Sequence, residues 1–152
     1  MNSRQPVILP PAGGVVHSVL GSPYRFLVTS ADTGGAFALL EITAPPQSAV
    51  PLHVHTREDE TFFILNGALE VECGDQKLKL DKDATAFLPR NIPHAYRNNE
   101  NLSASYLVFI TPGGFEKCLE EFGRLPPGKA PAPETIVAIG QKYGLEFPPP
   151  KT

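Results

Sequence analysis

Short apolar–polar alternations, separated by turn-forming residues, divide most of this 152-residue chain into segments of strand length. Ala68–Cys73 alternates apolar with acidic side chains, and Asn66–Gly67 just before it is a strong signal for a tight turn. The 17 prolines and 13 glycines indicate many turns and few long helices. The pattern predicts a mainly β protein, and the length fits one domain with a real core.

The periodicity changes from strand-like to helical after residue 114. Apolar side chains then recur three and four positions apart, which is the spacing of one helix face, at Phe115, Cys118, Leu119 and Phe122. A second helix is predicted to begin at Pro133–Glu134, because proline is tolerated in the first turn and an acidic residue there suits the helix dipole. We therefore expect two short helices at the C-terminal end of the chain.

Three histidines and one glutamate form the pattern that points most directly to chemistry. His53 and His55 lie two residues apart in a β-patterned stretch, so both project to the same side, where they form a ready bidentate site for a transition metal. Glu60 follows a polar turn that would bring its carboxylate back toward this pair, and His94 lies far along the chain in a similar setting. An isolated strand histidine is usually a core or surface residue, and this is the expectation for His17.

The spacing of these residues resembles the two sequence motifs of the cupin family: His53-x-His55-x4-Glu60-x6-Gly67 and Pro89-x-Asn91-x2-His94-x3-Asn98. The resemblance implies an all-β jelly-roll barrel that holds one divalent metal through His53, His55, Glu60 and His94. It also implies a homodimer, because an N-terminal strand often pairs with a second subunit in this family. On this basis we divide the chain into an N-terminal arm that adds a strand at the sheet edge (1–23), the barrel (24–111) and a helical extension packed on the barrel (112–152).

Three positions that are usually glycine in the cupin motifs carry other residues. These are Gln47, Asp83 and Asn91. Asparagine tolerates positive φ better than most residues, so Asn91 is a mild change. Gln47 and Asp83 bear on turn geometry and leave the four predicted ligands intact.

The implied ligand set predicts a working metal site. Three imidazoles and one carboxylate suit Fe, Mn, Co, Ni or Zn, and they leave a coordination position open to a substrate oxygen. Glu60 would then serve both as a ligand and as a catalytic general base toward a substrate hydroxyl. By strand parity Phe62 and Ile64 share a face with Glu60, and Tyr96 shares one with His94, so these three are the predicted pocket residues.

The layout also resembles small single-domain cupins grouped with quercetin 2,3-dioxygenase, including the two C-terminal helices and the tail that follows them. That resemblance implies a dioxygenase that cleaves a flavonol-like or other enol or enediol substrate. Two alternatives stay open: a non-catalytic cupin that binds a small molecule or metal, and a metal-dependent sugar isomerase. The partner expected from each interpretation is a small molecule.

Composition argues against several other classes of function. A net charge of −3, with no basic stripe, disfavours nucleic-acid binding, and no apolar run is long enough to span a membrane. No signal-peptide pattern opens the chain, so a cytoplasmic protein is expected, and Cys73 and Cys118 are read as reduced thiols. The loop charges near the predicted site are expected to be solvated, namely Arg57, Glu58, Asp59 and Arg90.

Overall fold

The computed structural model describes residues 4–149, in which two antiparallel sheets face each other. One sheet runs in the order β1 (Val15–Val19), β2 (Ser22–Val28), β3 (Ala38–Ala44), β10 (Ala104–Thr111), β5 (Asp59–Asn66) and β8 (Thr85–Leu88). The other runs β11 (Leu145–Glu146), β4 (Ala49–His55), β9 (His94–Arg97), β6 (Ala68–Cys73) and β7 (Gln76–Asp81). The helices are α1 (Ser30–Thr33), α2 (Glu116–Gly123) and α3 (Pro133–Lys142). The predicted all-β class is confirmed.

The core lies between the two sheets and follows from the alternation along the strands. On β10, Tyr106, Val108 and Ile110 are buried, whereas Phe109 between them is more than a third exposed. Phe62 on β5 meets Tyr96 on β9 across the sandwich, with ring centroids 5.3 Å apart. Burial of each such side chain stabilises the fold by about 1.5–3 kcal/mol.

The three positions at which the cupin motifs usually have glycine keep a left-handed backbone. Gln47, Asp83 and Asn91 have φ values of 56°, 69° and 65°. Long-range hydrogen bonds hold these turns: the Gln47 side chain donates to two carbonyls of the 99–100 loop, and the Asn91 amide donates to the His55 carbonyl at 2.8 Å. The motif geometry is therefore retained without the motif glycines.

The C-terminal extension is fixed to the strand that carries the histidine pair. β11 pairs with β4 so that Leu145 lies opposite His55. The Thr56 amide and hydroxyl both donate to the Gly144 carbonyl, at 3.0 and 2.7 Å. Gly144 has a φ of +83°, and a Cβ there would lie 2.7 Å from the Thr56 hydroxyl, so this junction requires glycine. Helices α2 and α3 are thus tied to the barrel by backbone pairing as well as by packing.

The N-terminal strand β1 lies at the edge of the six-stranded sheet and leaves Val15 and Val16 more than half exposed. Pairing of a second subunit with this edge stays a prediction. Cys73 and Cys118 are free thiols. Residues 1–3 and 150–152, which belong to the predicted arm and extension, lie outside the described residues. No helix between residues 4 and 149 is long and apolar enough to cross a membrane.

Candidate metal centre

Three strands from both sheets bring the four predicted ligands together inside the barrel. His53 and His55 come from β4, and His94 lies directly opposite His53 on the neighbouring strand β9. Glu60 reaches the same point from β5 in the facing sheet. One donor atom from each of the four residues lies within 4.8 Å of the other three, and all four side chains are buried. The structure therefore brings together every residue of the predicted ligand set.

The donor atoms converge on the Glu60 carboxylate. Glu60 Oε2 lies 3.5 Å from His55 Nε2 and 3.2 Å from His94 Nε2. The His53 ring is tilted against the His94 ring with centroids 4.4 Å apart, and the His55 and His94 rings are nearly parallel at 5.4 Å. A nitrogen lone pair that faces a carboxylate oxygen repels it. A proton or a cation between the imidazole nitrogens and the carboxylate removes that repulsion.

Each histidine has an acceptor on the side that faces away from the cluster. His53 Nδ1 lies 2.7 Å from the Pro51 carbonyl, and His94 Nδ1 lies 3.3 Å from the Ile92 carbonyl. Outer acceptors of this kind hold the Nδ1 proton and leave the Nε2 lone pair for a metal. Consistent with this, His94 Nε2 is buried and faces Glu60 Oε2 at 3.2 Å without hydrogen-bond geometry.

Glu58 supplies the outer acceptor for His55, and here the sequence-based expectation was wrong. Arg57 is exposed and Asp59 forms an ion pair with Arg90 at 2.9 Å, as expected for loop charges. Glu58, by contrast, is only 5% exposed, and its Oε2 lies 3.6 Å from His55 Nδ1. That separation is an ion-pair contact slightly beyond hydrogen-bond length.

Electrostatics match a site made for a cation. Burial, together with the neighbouring His94 and His55, lowers the pKa of His53 to about 3, so this imidazole is neutral. Burial alone would raise the pKa of Glu60, but the nearby histidines, His55 first, lower it to about 2. Burial also opposes protonation of His55, yet Glu60 and Glu58 raise its pKa overall. A divalent cation would take over the compensating role of the His55 proton.

The residues present therefore fit a divalent transition metal. Three imidazole nitrogens and one carboxylate oxygen form the borderline donor set that Fe, Mn, Co, Ni and Zn accept. Carbonyl acceptors lie on the outer side of His53 and His94, and the Glu58 carboxylate lies 3.6 Å from the outer nitrogen of His55. Outer partners of this kind are usual around a bound metal. The buried cluster of His53, His55, Glu60 and His94 could hold one such ion.

A cavity of about 150 Å³ opens beside the cluster and is lined by His53, His55 and Glu60. Of the predicted pocket residues, Phe62 and Tyr96 line this cavity, whereas Ile64 is fully buried in the core and is not among the lining residues. The sequence reasoning did not assign a third aromatic residue, Tyr24 on β2, to this wall.

Sequence reasoning also missed the wall that the C-terminal extension contributes. Apolar side chains from the extension line the cavity at Phe115, Leu119, Phe122, Ile136, Leu145 and Phe147. The Phe115 ring meets His55 edge-on with centroids 4.4 Å apart. The amphipathic spacing of these residues indicated a buried face but not what that face covers.

Comparison with known proteins identifies the family. The cupin domain family matches residues 40–110, which include all four clustered residues and both motifs. The match spans just under half of the chain and, together with the fold, supports membership of the cupin superfamily. The solved structure of an RmlC-like cupin from Shewanella frigidimarina superposes with a TM-score of 0.63 at 12% identity, covering 76% of this chain and 99% of that one. This likeness confirms the jelly-roll fold.

Curated relatives of this cupin are distant and longer than the matched region. The tetracenomycin polyketide synthase protein TcmJ of Streptomyces glaucescens is 27% identical over 93 residues, which cover 60% of this chain and 62% of that protein. Quercetin 2,3-dioxygenase of Aspergillus japonicus is 29% identical over 100 residues, which cover 61% of this chain and 28% of that enzyme. The chain thus spans less than two thirds of either relative.

Proposed function

We propose that this cupin binds one divalent transition metal through His53, His55, Glu60 and His94 and is a dioxygenase acting on an enol or enediol. The observation that carries the proposal is the convergence of four buried donor atoms on one side of an otherwise apolar cavity. A metal that keeps a position open to a cavity is a working metal, whereas structural sites are closed by protein ligands. Similarity to a quercetin 2,3-dioxygenase supports the reaction class.

When bound, the metal supplies a Lewis acid that polarises a substrate oxygen and favours its deprotonated form. Glu60 is ionised and lines the cavity, so its carboxylate can accept the proton of a substrate hydroxyl that approaches the cluster. His53 stays neutral because it is buried beside two other imidazoles, and it therefore does not compete for that proton. Phe62 and Tyr96 add aromatic surface to the lining of the same cavity.

The alternative of a non-catalytic binding cupin differs in one measurable respect. Both versions bind metal, but only the dioxygenase consumes oxygen and incorporates both oxygen atoms into a cleaved product. Protein reconstituted separately with Fe, Mn, Co or Ni is assayed on an oxygen electrode with flavonols and smaller enediols. Oxygen uptake with at least one metal form is expected, and no uptake in any form refutes the dioxygenase and leaves the binding function.

The metal site itself is tested by replacing one ligand. His55→Ala should lose most of the bound metal while keeping the β-sheet signal in circular dichroism, because β4 stays paired on both sides. His17→Ala is the matched control, since His17 lies against Phe26 and outside the cluster. Metal content is measured by plasma mass spectrometry after reconstitution. Stoichiometric metal in His55→Ala would contradict the assignment.

A further inference from the structure

The cavity beside the four proposed metal ligands has charged and imidazole groups at one end only. His53, His55 and Glu60 form that end, and the remaining lining residues are apolar except for Tyr24 and Tyr96. No lysine or arginine within residues 4–149 lines the cavity. Each substrate hydroxyl buried there without a partner would weaken binding roughly fivefold to 100-fold. The cavity therefore suits a molecule with one metal-binding end and an apolar body, and it does not suit a sugar or a phosphorylated substrate.

The volume of the cavity limits how large that body can be. The space measures about 150 Å³. An engineered apolar protein cavity of roughly this volume binds benzene. One six-membered ring therefore fits within this space, whereas the three rings of a flavonol exceed it and would have to extend through the opening or displace a wall.

The C-terminal extension builds the wall that sets this limit. Phe115, Leu119 and Phe122 line the cavity from α2 and the residue before it, and Ile136 lines it from α3. The Thr56 amide and hydroxyl both donate to the Gly144 carbonyl and hold the end of the extension on the histidine strand. The wall is thus tied to the metal site and cannot swing away as a loose flap without breaking these bonds.

We propose that the substrate is an enol or enediol of single-ring size with an otherwise apolar body, and that the extension excludes larger flavonols. The inference rests on the proposed function, because within residues 4–149 the charged and imidazole groups that line the cavity all belong to the proposed metal site. It narrows the substrate to a class that shares the chelating group of a flavonol without its fused and pendant rings.

A matched pair of ligands tests the size limit directly. 3-Hydroxy-2-methyl-4-pyranone and 3-hydroxyflavone carry the same chelating group and differ in the two additional rings. Binding to the Co-reconstituted protein is measured by anaerobic calorimetry and by the cobalt absorption spectrum. We expect the single-ring ligand to bind roughly 10-fold to 100-fold more tightly, because overfilling a packed cavity is costly.

Variants in the extension show whether this wall is the cause. Phe122→Ala should raise the affinity for 3-hydroxyflavone at least tenfold and change that for the single-ring ligand far less. Ile136→Ala is the second variant, in case the first does not fold, and Phe87→Ala is the control because Phe87 is 60% exposed on the outer side. Equal affinity of the metal-loaded wild type for both ligands overturns the size limit alone. A protein that takes up no metal overturns the proposed function, and this inference with it.

Discussion

Replacing Glu58 tests whether its carboxylate supports the proposed metal ligand His55. Its carboxylate is buried 3.6 Å from His55 Nδ1, on the side of the ring that faces away from the cluster. Two full charges at this distance interact by roughly 4–5 kcal/mol at an effective dielectric constant near 20. A metal-bound imidazole carries only part of a charge, so the effect is smaller. Loss of outer partners of this kind typically weakens metal binding about 10- to 100-fold, or about 1.4–2.7 kcal/mol.

Glu58→Gln keeps the shape of the side chain and removes its charge, and we expect metal affinity to fall within that range. The ratio of wild-type to variant affinity should also depend on pH. Glu58 raises the pKa of His55 in the metal-free protein, so protons compete more strongly with the metal in the wild type. The advantage of the wild type is therefore largest at high pH and narrows as the pH falls through the raised pKa of His55.

Competition titrations with a chromophoric zinc chelator measure both effects. Glu134→Gln is the control, because Glu134 is exposed at the start of α3. Thermal unfolding of the metal-free proteins shows whether the variants remain folded. Affinities within twofold of the wild type across the pH range, or an equal loss in the control, would refute the reasoning about Glu58.

Three further predictions concern stability. Asn98→Ala should lower the free energy of unfolding in urea by about 2–4 kcal/mol, since its buried amide donates to three backbone carbonyls, and a change below 1 kcal/mol would contradict this. Asp83→Gly should raise the melting temperature or leave it unchanged. Asp83 has a φ of 69°, which costs a residue with a Cβ roughly 1 kcal/mol, and glycine avoids this strain. A clear decrease would show that the Asp83 side chain stabilises the turn. Arg90 lowers the pKa of Asp59 to about 2, so this pair stabilises the protein above the normal carboxyl pKa and its contribution is lost as the pH falls toward 2. Arg90→Gln should remove that pH-dependent part of the stability, which is small because the pair is exposed, and acid titrations followed by circular dichroism measure the change.

Strand parity accounts for the part of the site that the sequence could predict. Residues two apart on a strand share a face, and this alone places Glu60 beside Phe62 and His53 beside His55. The convergence of His94 with this pair came from the resemblance to the cupin motifs, because no local rule relates strands so far apart in sequence. The left-handed turns at Gln47 and Asp83 could not be derived from local rules either. Hydrogen bonds to residues far along the chain hold a positive φ that glutamine and aspartate disfavour.

Glu58 shows why the remainder could not be predicted. It lies in a turn, where side-chain direction does not follow a period of two, and acidic turn residues are usually solvated. Part of its surroundings comes from far along the chain, since burial first and then the charges of Glu121 and Glu58 raise the pKa of Cys118 on α2. A pattern in residues 53–60 carries no information about a helix that begins at Glu116.

The extension has a consequence for how this family diverges. All four clustered residues lie within 40–110, the region that matches the cupin domain, whereas the cavity wall from Phe115 onward lies beyond it. On the proposed function, the metal ligands and one wall of the substrate cavity thus lie in consecutive stretches of the polypeptide. A descendant with a different second stretch would then accept a different molecule while keeping the same four proposed ligands.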